Sequence, residues 1–190
     1  GEKLENIRML LNVSPGVLHF ATYADSPINS WEDIRGKKIS IGARGSGIAL
    51  EMEKAVLPAL GMSLDDFEPQ YLPQGAETVQ AMQDGVIDGF ILDVPYPNTT
   101  FEEISLSTPL KFIPMSEELR DSLVSSMPFF TKSSIPQGTY KGQDYEVPTV
   151  GGRTNIIVSK SLSDEKVYTI LETIFDNLEE IHEVHAAAKN

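Results

Sequence analysis

A glycine-rich loop contains the residue types in this chain that could hold an anion. Arg44, Gly45, Ser46, Gly47 and Ile48 follow a short apolar run and open a helix-forming stretch. Backbone N–H groups point outwards at a helix start, where the helix dipole favours negative charge. The loop is therefore predicted to bind a carboxylate or another polar solute group. The alternative is a tight turn in which the glycines relieve strain and Ser46 only caps the helix.

A second candidate segment follows a nearly continuous apolar run at residues 87–92. It contains Asp93, Pro95 and Tyr96. In open α/β sheets, ligands bind at the carboxyl ends of strands. Asp93 is therefore predicted to hold an amine, and Tyr96 to stack on a solute or hydrogen-bond to it. The alternative is that the prolines end the strand and Tyr96 packs on the surface.

Other titratable residues give weaker signals. His182 and His185 are three residues apart, a spacing that metals use, but glutamates and an alanine-rich end surround them, as in a solvated helix end. His19 lies in an apolar run without an identifiable nucleophile, and it is predicted to be a structural histidine. The absence of cysteine excludes thiolate metal sites and a cysteine nucleophile. No catalytic residue, metal ligand or cofactor is predicted.

Alternating strand-like and helical patterns surround these candidates. The strand-like runs lie at residues 7–11, 16–24, 38–42, 67–72, 87–92, 111–114 and 154–158. The helical patterns lie at residues 30–36, 48–59, 76–84, 101–104, 116–123 and 164–186. A turn is expected at residues 14–16, and a long surface connection at residues 128–147. This alternation predicts an α/β domain with a largely parallel sheet.

Charge and chain length restrict the possible partners. The 190 residues include 28 acidic and 15 basic side chains, which give a formal net charge of −13. Such a charge repels nucleic acid and anionic lipid, so no nucleic-acid partner is predicted. No apolar run approaches the roughly 20 residues that span a bilayer. Because residue 1 is not Met, the chain is interpreted as part of a longer protein whose export signal precedes it.

Four segments, in this order, carry a family resemblance. They are SWEDIRGKKISIGARGSG at residues 30–47, DGVIDGF at 84–90, IPQGTYKGQ at 135–143 and VPTVG at 147–151. Together they resemble the TAXI family, the solute receptors of tripartite ATP-independent periplasmic (TRAP) transporters. The resemblance implies a type II periplasmic binding protein fold, with solute held between two lobes. It also strengthens the prediction that the glycine loop contacts ligand. Residues 92–97 depart from the Gly-x-Pro segment of many relatives, which leaves the solute open.

The resemblance sets the expected domain organisation. Residues 1–25 are predicted to form first-lobe strands and a hinge, and residues 26–150 a complete α/β second lobe with the ligand loops. Residues 151–190 are predicted to return through a hinge strand to a first-lobe helix. Chain crossings are expected near residues 21–26 and 151–155. The predicted fold class is thus α/β, type II periplasmic-binding-protein-like, with one complete lobe and part of the other.

The predicted function is that of an extracytoplasmic, non-enzymatic receptor. It would capture a small solute, an amino acid or a carboxylate, and deliver it to the membrane subunits of a TRAP transporter. The implied location is the periplasm or another extracytoplasmic site, with or without a lipid anchor in the full-length protein. Two alternatives stay open, an enzyme on the same two-lobed fold and the effector-sensing domain of a regulator.

Overall fold

Two compact units make up the computed structural model, which describes residues 4–184. Among the described residues, the smaller unit consists of residues 4–15 and 153–184, and the larger unit of Gly16–Gly152. The chain passes between them inside two long strands. The divisions therefore follow residues 15 and 152, whereas the sequence placed them after residues 25 and 150.

The described residues form a seven-stranded sheet of mixed direction. Its strands are β1 (Ile7–Tyr23), β2 (Lys38–Ser40), β3 (Glu68–Gln70), β4 (Gly89–Val94), β5 (Leu110–Phe112), β6 (Thr131–Ile135) and β7 (Val147–Ser159). The order is β3-β2-β4-β1-β7-β6, and β5 pairs with β1. Only β2, β3 and β4 are parallel among the pairings with a defined register, which corrects the largely parallel sheet expected. Strands that are not joined through a crossover helix need not run parallel, and β1 and β7 carry the chain into and out of the larger unit.

The helices lie between these strands. They are α1 (Gly47–Glu51), α2 (Leu57–Ala59), α3 (Ala76–Gln83), α4 (Thr99–Ser107), α5 (Glu117–Ser126), α6 (Asp164–Asp176) and α7 (Leu178–Val184). A π-helical segment, Met52–Val56, joins α1 to α2, and short 3-10 helices occur at Trp31–Ile34 and Leu64–Asp66. Ser116 caps α5, because its hydroxyl accepts a hydrogen bond from the Leu119 amide.

Three local predictions were wrong. Residues 14–16 form no turn, because Gly16 lacks the positive φ of a turn glycine and β1 continues through it. The predicted connection at residues 128–147 contains β6, whose polar sequence suits a strand at the edge of the sheet. The last helix is interrupted at Asn177, whose φ of −115° and ψ of 23° are not helical. The end of that predicted helix, residues 185 and 186, lies outside the described residues.

Each face of the larger unit's sheet buries its own apolar core. The first core lies under α1, α2 and α5, and the second lies under α3 and α4. Side chains of β4 alternate between them, since Ile91 enters the first core while Phe90 and Leu92 enter the second. The same alternation in β1 sends Leu18 to the first core. Each residue of these strands is thereby assigned to one face.

His19 is a structural histidine, as predicted. It is fully buried on the second face and stacks on Phe101 with 4.7 Å between ring centroids. Its Nδ1 lies 2.8 Å from the Val17 carbonyl oxygen, and its Nε2 lies 2.9 Å from the Tyr140 hydroxyl. The Tyr140 oxygen also accepts a hydrogen bond from the Asn98 amide at 3.2 Å. Both ring nitrogens are therefore satisfied within the fold.

Candidate functional site

The parallel strands bring three connections to one edge of the sheet. The glycine loop follows β2, Tyr71 follows β3, and Asp93 lies near the end of β4. The helices that connect these strands pack on opposite faces of the sheet. Between β2 and β3, α1 and α2 lie over the first core, and between β3 and β4, α3 lies over the second. Such a switch in direction opens a crevice at the carboxyl ends of parallel strands, where open α/β sheets bind ligands. This edge is the candidate site.

The glycine loop has a defined turn geometry. Gly42 and Gly45 have φ of +78° and +75°, a region that other residues rarely adopt. A Cβ on Gly42 would lie 2.9 Å from the Ser46 hydroxyl oxygen. The Ser46 hydroxyl caps α1 by accepting a hydrogen bond from the Ala49 amide, and the Ser46 amide donates to the Ala43 carbonyl at 3.0 Å. The Ser46 amide is therefore committed to the turn, so an anion at this loop would have to use the amides of its neighbours.

Two other residues of the predicted loop have clear positions. The Arg44 guanidinium lies over the Tyr71 ring, with its central carbon 3.9 Å from the ring centroid, a cation–π contact. This contact fixes an exposed cation at the candidate edge. Ile48 belongs to the first core and is only 9% exposed, so its side chain anchors the loop.

Asp93 meets a second carboxylate that the sequence did not single out. Asp93 pairs with Leu18 across β4 and β1, so its side chain lies on the first face, on which α1 packs. Glu51, the last residue of α1, lies close enough for the charge of Asp93 to affect it. Asp93 Oδ1 and Glu51 Oε2 are both buried, and neither accepts a hydrogen bond from another described protein group. Buried carboxylate oxygens are nearly always paired, so this pair is exceptional.

The environment favours the protonated forms of both carboxyl groups. Burial, followed by the charge of Asp93, raises the pKa of Glu51 from 4.5 to about 7. Burial raises the pKa of Asp93. Because no described lysine or arginine forms a salt bridge with either group, a cation placed between them would gain two charge-assisted contacts.

Gly16 lets the Asp93 carboxylate approach β1 closely. It precedes the β1 residues that pair with β4, on the same face as Leu18. A Cβ on Gly16 would lie 2.8 Å from Asp93 Oδ1. Any side chain at this position would therefore press on the carboxylate, and a glycine is needed here for close approach.

Tyr96 and Asp93 have different surroundings. Tyr96 packs against the second core, whereas the Asp93 side chain lies on the first face. It lines a cleft of about 460 Å³, whose other lining residues are Arg120, Lys132, Ser133, Ser134, Glu146 and Pro148. The two cations of that cleft are already paired with carboxylates of α5. Pro95, between Asp93 and Tyr96, is half-buried.

Glu51 could have been found from the helical pattern. Ile48 and Met52 mark the buried stripe of the helix, and Glu51 falls three residues after the first of them. A carboxylate on a buried stripe is unusual and signals a specific role or partner.

The described residues contain no group of three or more His, Cys, Asp or Glu side chains placed to hold a metal ion. His182 lies in α7, whereas His185 lies outside the described residues. None of the described helices is both long and apolar enough to cross a membrane.

Sequence comparison assigns the chain to a family. The model of the NMT1-like family matches residues 1–190, the whole chain. The chain belongs to the NMT1-like family. This assignment supports a solute-binding protein and is coarser than the TAXI resemblance of the four sequence segments.

The predicted fold class of this NMT1-like chain is confirmed by the first of three similar solved structures. A substrate binding protein of an amino acid ABC transporter matches with a TM-score of 0.51 at 13% identity, over 94% of this chain and 60% of that one. A putative L-cystine ABC transporter protein from Listeria monocytogenes matches with 0.49 at 17% identity, over 93% and 62%. The periplasmic aliphatic sulphonate binding protein of Escherichia coli matches with 0.42 at 22% identity, over 54% and 33%. The NMT1-like chain thus spans a third to about three fifths of the length of these structures.

Proposed function

We propose that this chain belongs to a non-enzymatic, extracytoplasmic receptor that captures a small solute for a membrane transporter. The Glu51–Asp93 pair is the observation that carries the proposal. Two buried carboxylate oxygens without donors lie at the edge of the sheet where α/β folds bind ligands. Folded proteins normally pair buried polar groups or exclude them from the interior, so a polar group of a bound ligand is the expected partner of these oxygens.

The charge of the pair supports an amino acid as the solute. An ammonium group has three donors and fits two carboxylate oxygens that lack donors. The carboxylate of the same solute would then be addressed by Arg44 and by the Gly45 and Gly47 amides. A solute with carboxylates alone is the weaker candidate, because Glu51 and Asp93 repel it when ionised.

The four ordered sequence segments support a TAXI receptor that works with TRAP membrane subunits. The similar solved structures are described as ABC transporter proteins, so an ABC transporter is the alternative partner. Reconstitution of the intact receptor with candidate membrane subunits in vesicles separates the two. Uptake without ATP is expected, whereas a strict requirement for ATP would replace the TRAP assignment with the ABC one.

A matched pair of solutes tests the capture of an amino acid. L-aspartate and succinate differ by the α-ammonium group, and each is titrated into the intact, ligand-stripped protein within a panel of amino acids and dicarboxylates. Saturable stabilisation is expected for an amino acid, since a ligand at 100 times its Kd adds about 2.7 kcal/mol to the stability of the native state. If no panel member raises the Tm, the receptor proposal is wrong.

Variants connect the binding to the pair. Glu51→Gln and Asp93→Asn keep the side-chain shape and remove one charge each, and both are expected to weaken amino acid binding at least about tenfold. Glu53→Gln is the matched control, because Glu53 is exposed two residues later and pairs with Lys54. Equal affinity in Glu51→Gln and Glu53→Gln would remove Glu51 from the site.

A further inference from the structure

We propose that Phe129 forms an apolar wall of the candidate site and selects solutes that carry an aromatic or large apolar group. The inference rests on the receptor function proposed above, and it names the class of solute that such a receptor takes. It does not depend on the charge of Glu51 or Asp93, because Phe129 contacts the uncharged part of the solute.

Phe129 differs from the other aromatic residues of the larger unit. Its side chain is 50% exposed, and it is the only exposed aromatic side chain among the residues of that unit that the structure describes. The neighbouring Phe130 is buried in the first core, and the two ring centroids lie 4.5 Å apart. Phe130 therefore anchors the segment, whereas Phe129 presents half of its surface to solvent.

A tight turn fixes the position of Phe129. The Phe130 amide donates a hydrogen bond to the Met127 carbonyl oxygen at 3.0 Å, so Met127–Phe130 form a β-turn. Pro128 suits the second position of such a turn, because its ring fixes φ near the required value. Directly after the turn, Thr131 begins β6 and pairs with β7. The backbone on both sides of Phe129 is therefore held in place before any solute arrives.

The ring lies beside the first face of β7. Val150 of β7 enters the first core, so the alternation of side chains puts Gly152 on the same face. A Cβ on Gly152 would have the carbonyl oxygen and the ring carbon Cδ2 of Phe129 as its nearest neighbours, at 3.8 and 3.9 Å. No other described residue comes within 4 Å of that position, apart from the chain neighbours of Gly152. The missing side chain thus leaves space next to the ring.

This space adjoins the candidate edge of the sheet. Strands β7 and β1 are neighbours, and a Cβ on Gly151 would overlap the Gly16 carbonyl oxygen. Gly16 is also the residue that Asp93 Oδ1 approaches on the first face. Neighbouring strands lie about 5 Å apart, so Phe129 and Asp93 cover adjacent strands at one edge. A polar group at the candidate edge and an apolar group beside Phe129 would be a few bonds apart in one solute.

An apolar wall supplies what the polar groups of the site lack. Sites for small molecules bury most of the ligand against apolar and aromatic side chains, and a few polar groups fix its orientation. Arg44 and the amides of the glycine loop are groups of the second kind. An aromatic or large apolar group placed over Gly152 would remove the exposed half of the Phe129 ring from water, which favours binding.

Two matched pairs of solutes test the selection. L-phenylalanine differs from L-alanine by one phenyl ring, and 3-phenylpropionate differs from propionate in the same way. Each is titrated into the intact, ligand-stripped protein by isothermal titration calorimetry. The phenyl member of the pair whose polar group the site accepts is expected to bind at least about tenfold more tightly. Equal affinities within that pair would overturn the inference.

Variants assign the preference to the ring. Phe129→Ala is expected to weaken binding of the phenyl member about tenfold and to change that of the small member little. Leu106→Ala is the matched control, because Leu106 is an exposed apolar residue of α4, and it should leave both affinities unchanged. A phenyl preference that survives Phe129→Ala would place the apolar contact elsewhere and overturn the inference.

Gly152→Ala gives a second test that keeps the ring. The added methyl group fills the space beside Phe129 at ordinary contact distances, so the Tm of the ligand-free protein is expected to stay unchanged. Binding of the phenyl member is expected to weaken more than binding of the small member. Equal weakening of both members would show that the solute does not use this space.

Failure of this inference differs from failure of the receptor proposal. A protein that a solute stabilises, but that binds both members of each pair equally, would keep the receptor and lose the role of Phe129. A protein that no solute stabilises would lose both. A Phe129→Ala variant with unchanged solute affinities and reduced uptake in vesicles would assign the ring to contact with the membrane subunits, and would overturn the inference.

Discussion

A fully buried histidine and a half-buried pair of carboxylates occupy opposite faces of the same two strands, β1 and β4. On the second face, His19 lies between aromatic rings and both of its ring nitrogens have hydrogen-bond partners. On the first face, Asp93 and Glu51 each bury an oxygen that has none. Burial lowers the pKa of His19 to about 4 and raises that of Glu51 to about 7. In both cases the neutral form is favoured.

The difference lies in how the polar atoms are satisfied. A buried polar group with its partners inside the fold adds rigidity and needs nothing further. A buried carboxylate oxygen without partners destabilises the fold and calls for a specific explanation, such as a bound ligand. Satisfaction of hydrogen bonds, and not burial or pKa alone, therefore separates the structural site from the functional candidate.

Removal of the histidine is expected to have the largest effect. His19→Ala deletes a ring that stacks on Phe101 and leaves the Val17 carbonyl and the Tyr140 hydroxyl short of a partner. A loss of about 3–5 kcal/mol in the free energy of unfolding is expected, measured by urea denaturation. His182→Ala, in the short helix α7, is the control and should change it by less than about 0.5 kcal/mol. An equal loss of stability in the two variants would show that the contacts of His19 do not stabilise the fold more than those of a surface histidine.

The sequence predicted most helices and strands, because their signals are local. Caps such as Ser116 and the alternation of strands and helices required no knowledge of neighbours. It failed where distant pairing decides the outcome. The edge strand β6 has a polar sequence, and β1 runs straight through Pro15 and Gly16. The parallel or antiparallel direction of the strands could not be predicted either, since it depends on how the chain enters the larger unit.

Insertion of a methyl group beside the carboxylates is expected to have an intermediate effect. Gly16→Ala places a Cβ 2.8 Å from Asp93 Oδ1, and a loss of about 2 kcal/mol in the free energy of unfolding is expected. Asp93→Ala removes the clash, so the Gly16→Ala change should have little effect in that background, a coupling that a double-mutant cycle measures. Gly152→Ala is the control, because its nearest neighbour, the Phe129 carbonyl oxygen, lies 3.8 Å away. Additive effects would show that Gly16 and Asp93 are independent.

Only part of the candidate site could be predicted from the sequence, for a similar reason. The loop glycines and Asp93 were found because they follow apolar strands, which is a local signal. The convergence of Asp93 with Glu51 depends on the packing of α1 against β4. Tyr96 was grouped with Asp93 because both follow the same apolar run, yet Tyr96 packs against the second core. Proximity along the chain is a poor guide where a strand separates two faces.

The smallest expected effect is a change in pH dependence. The pKa of Glu51 is raised from 4.5 to about 7 on folding, so the native state binds more protons than the unfolded state, and stability falls as pH rises through this range. Glu51→Gln should remove that fall and be about 1 kcal/mol more stable than wild type at pH 8, after allowance for solvent around a partly exposed group. His19 has the opposite sign, because its lowered pKa makes stability rise with pH between about 4 and 6.5. Urea denaturation from pH 4.5 to 8 measures both pH dependences of the free energy of unfolding, with Glu53→Gln as the exposed control. If the stability of Glu51→Gln and Glu53→Gln changes with pH in the same way, Glu51 is as well solvated as a surface residue. The contrast between the two faces would then be wrong.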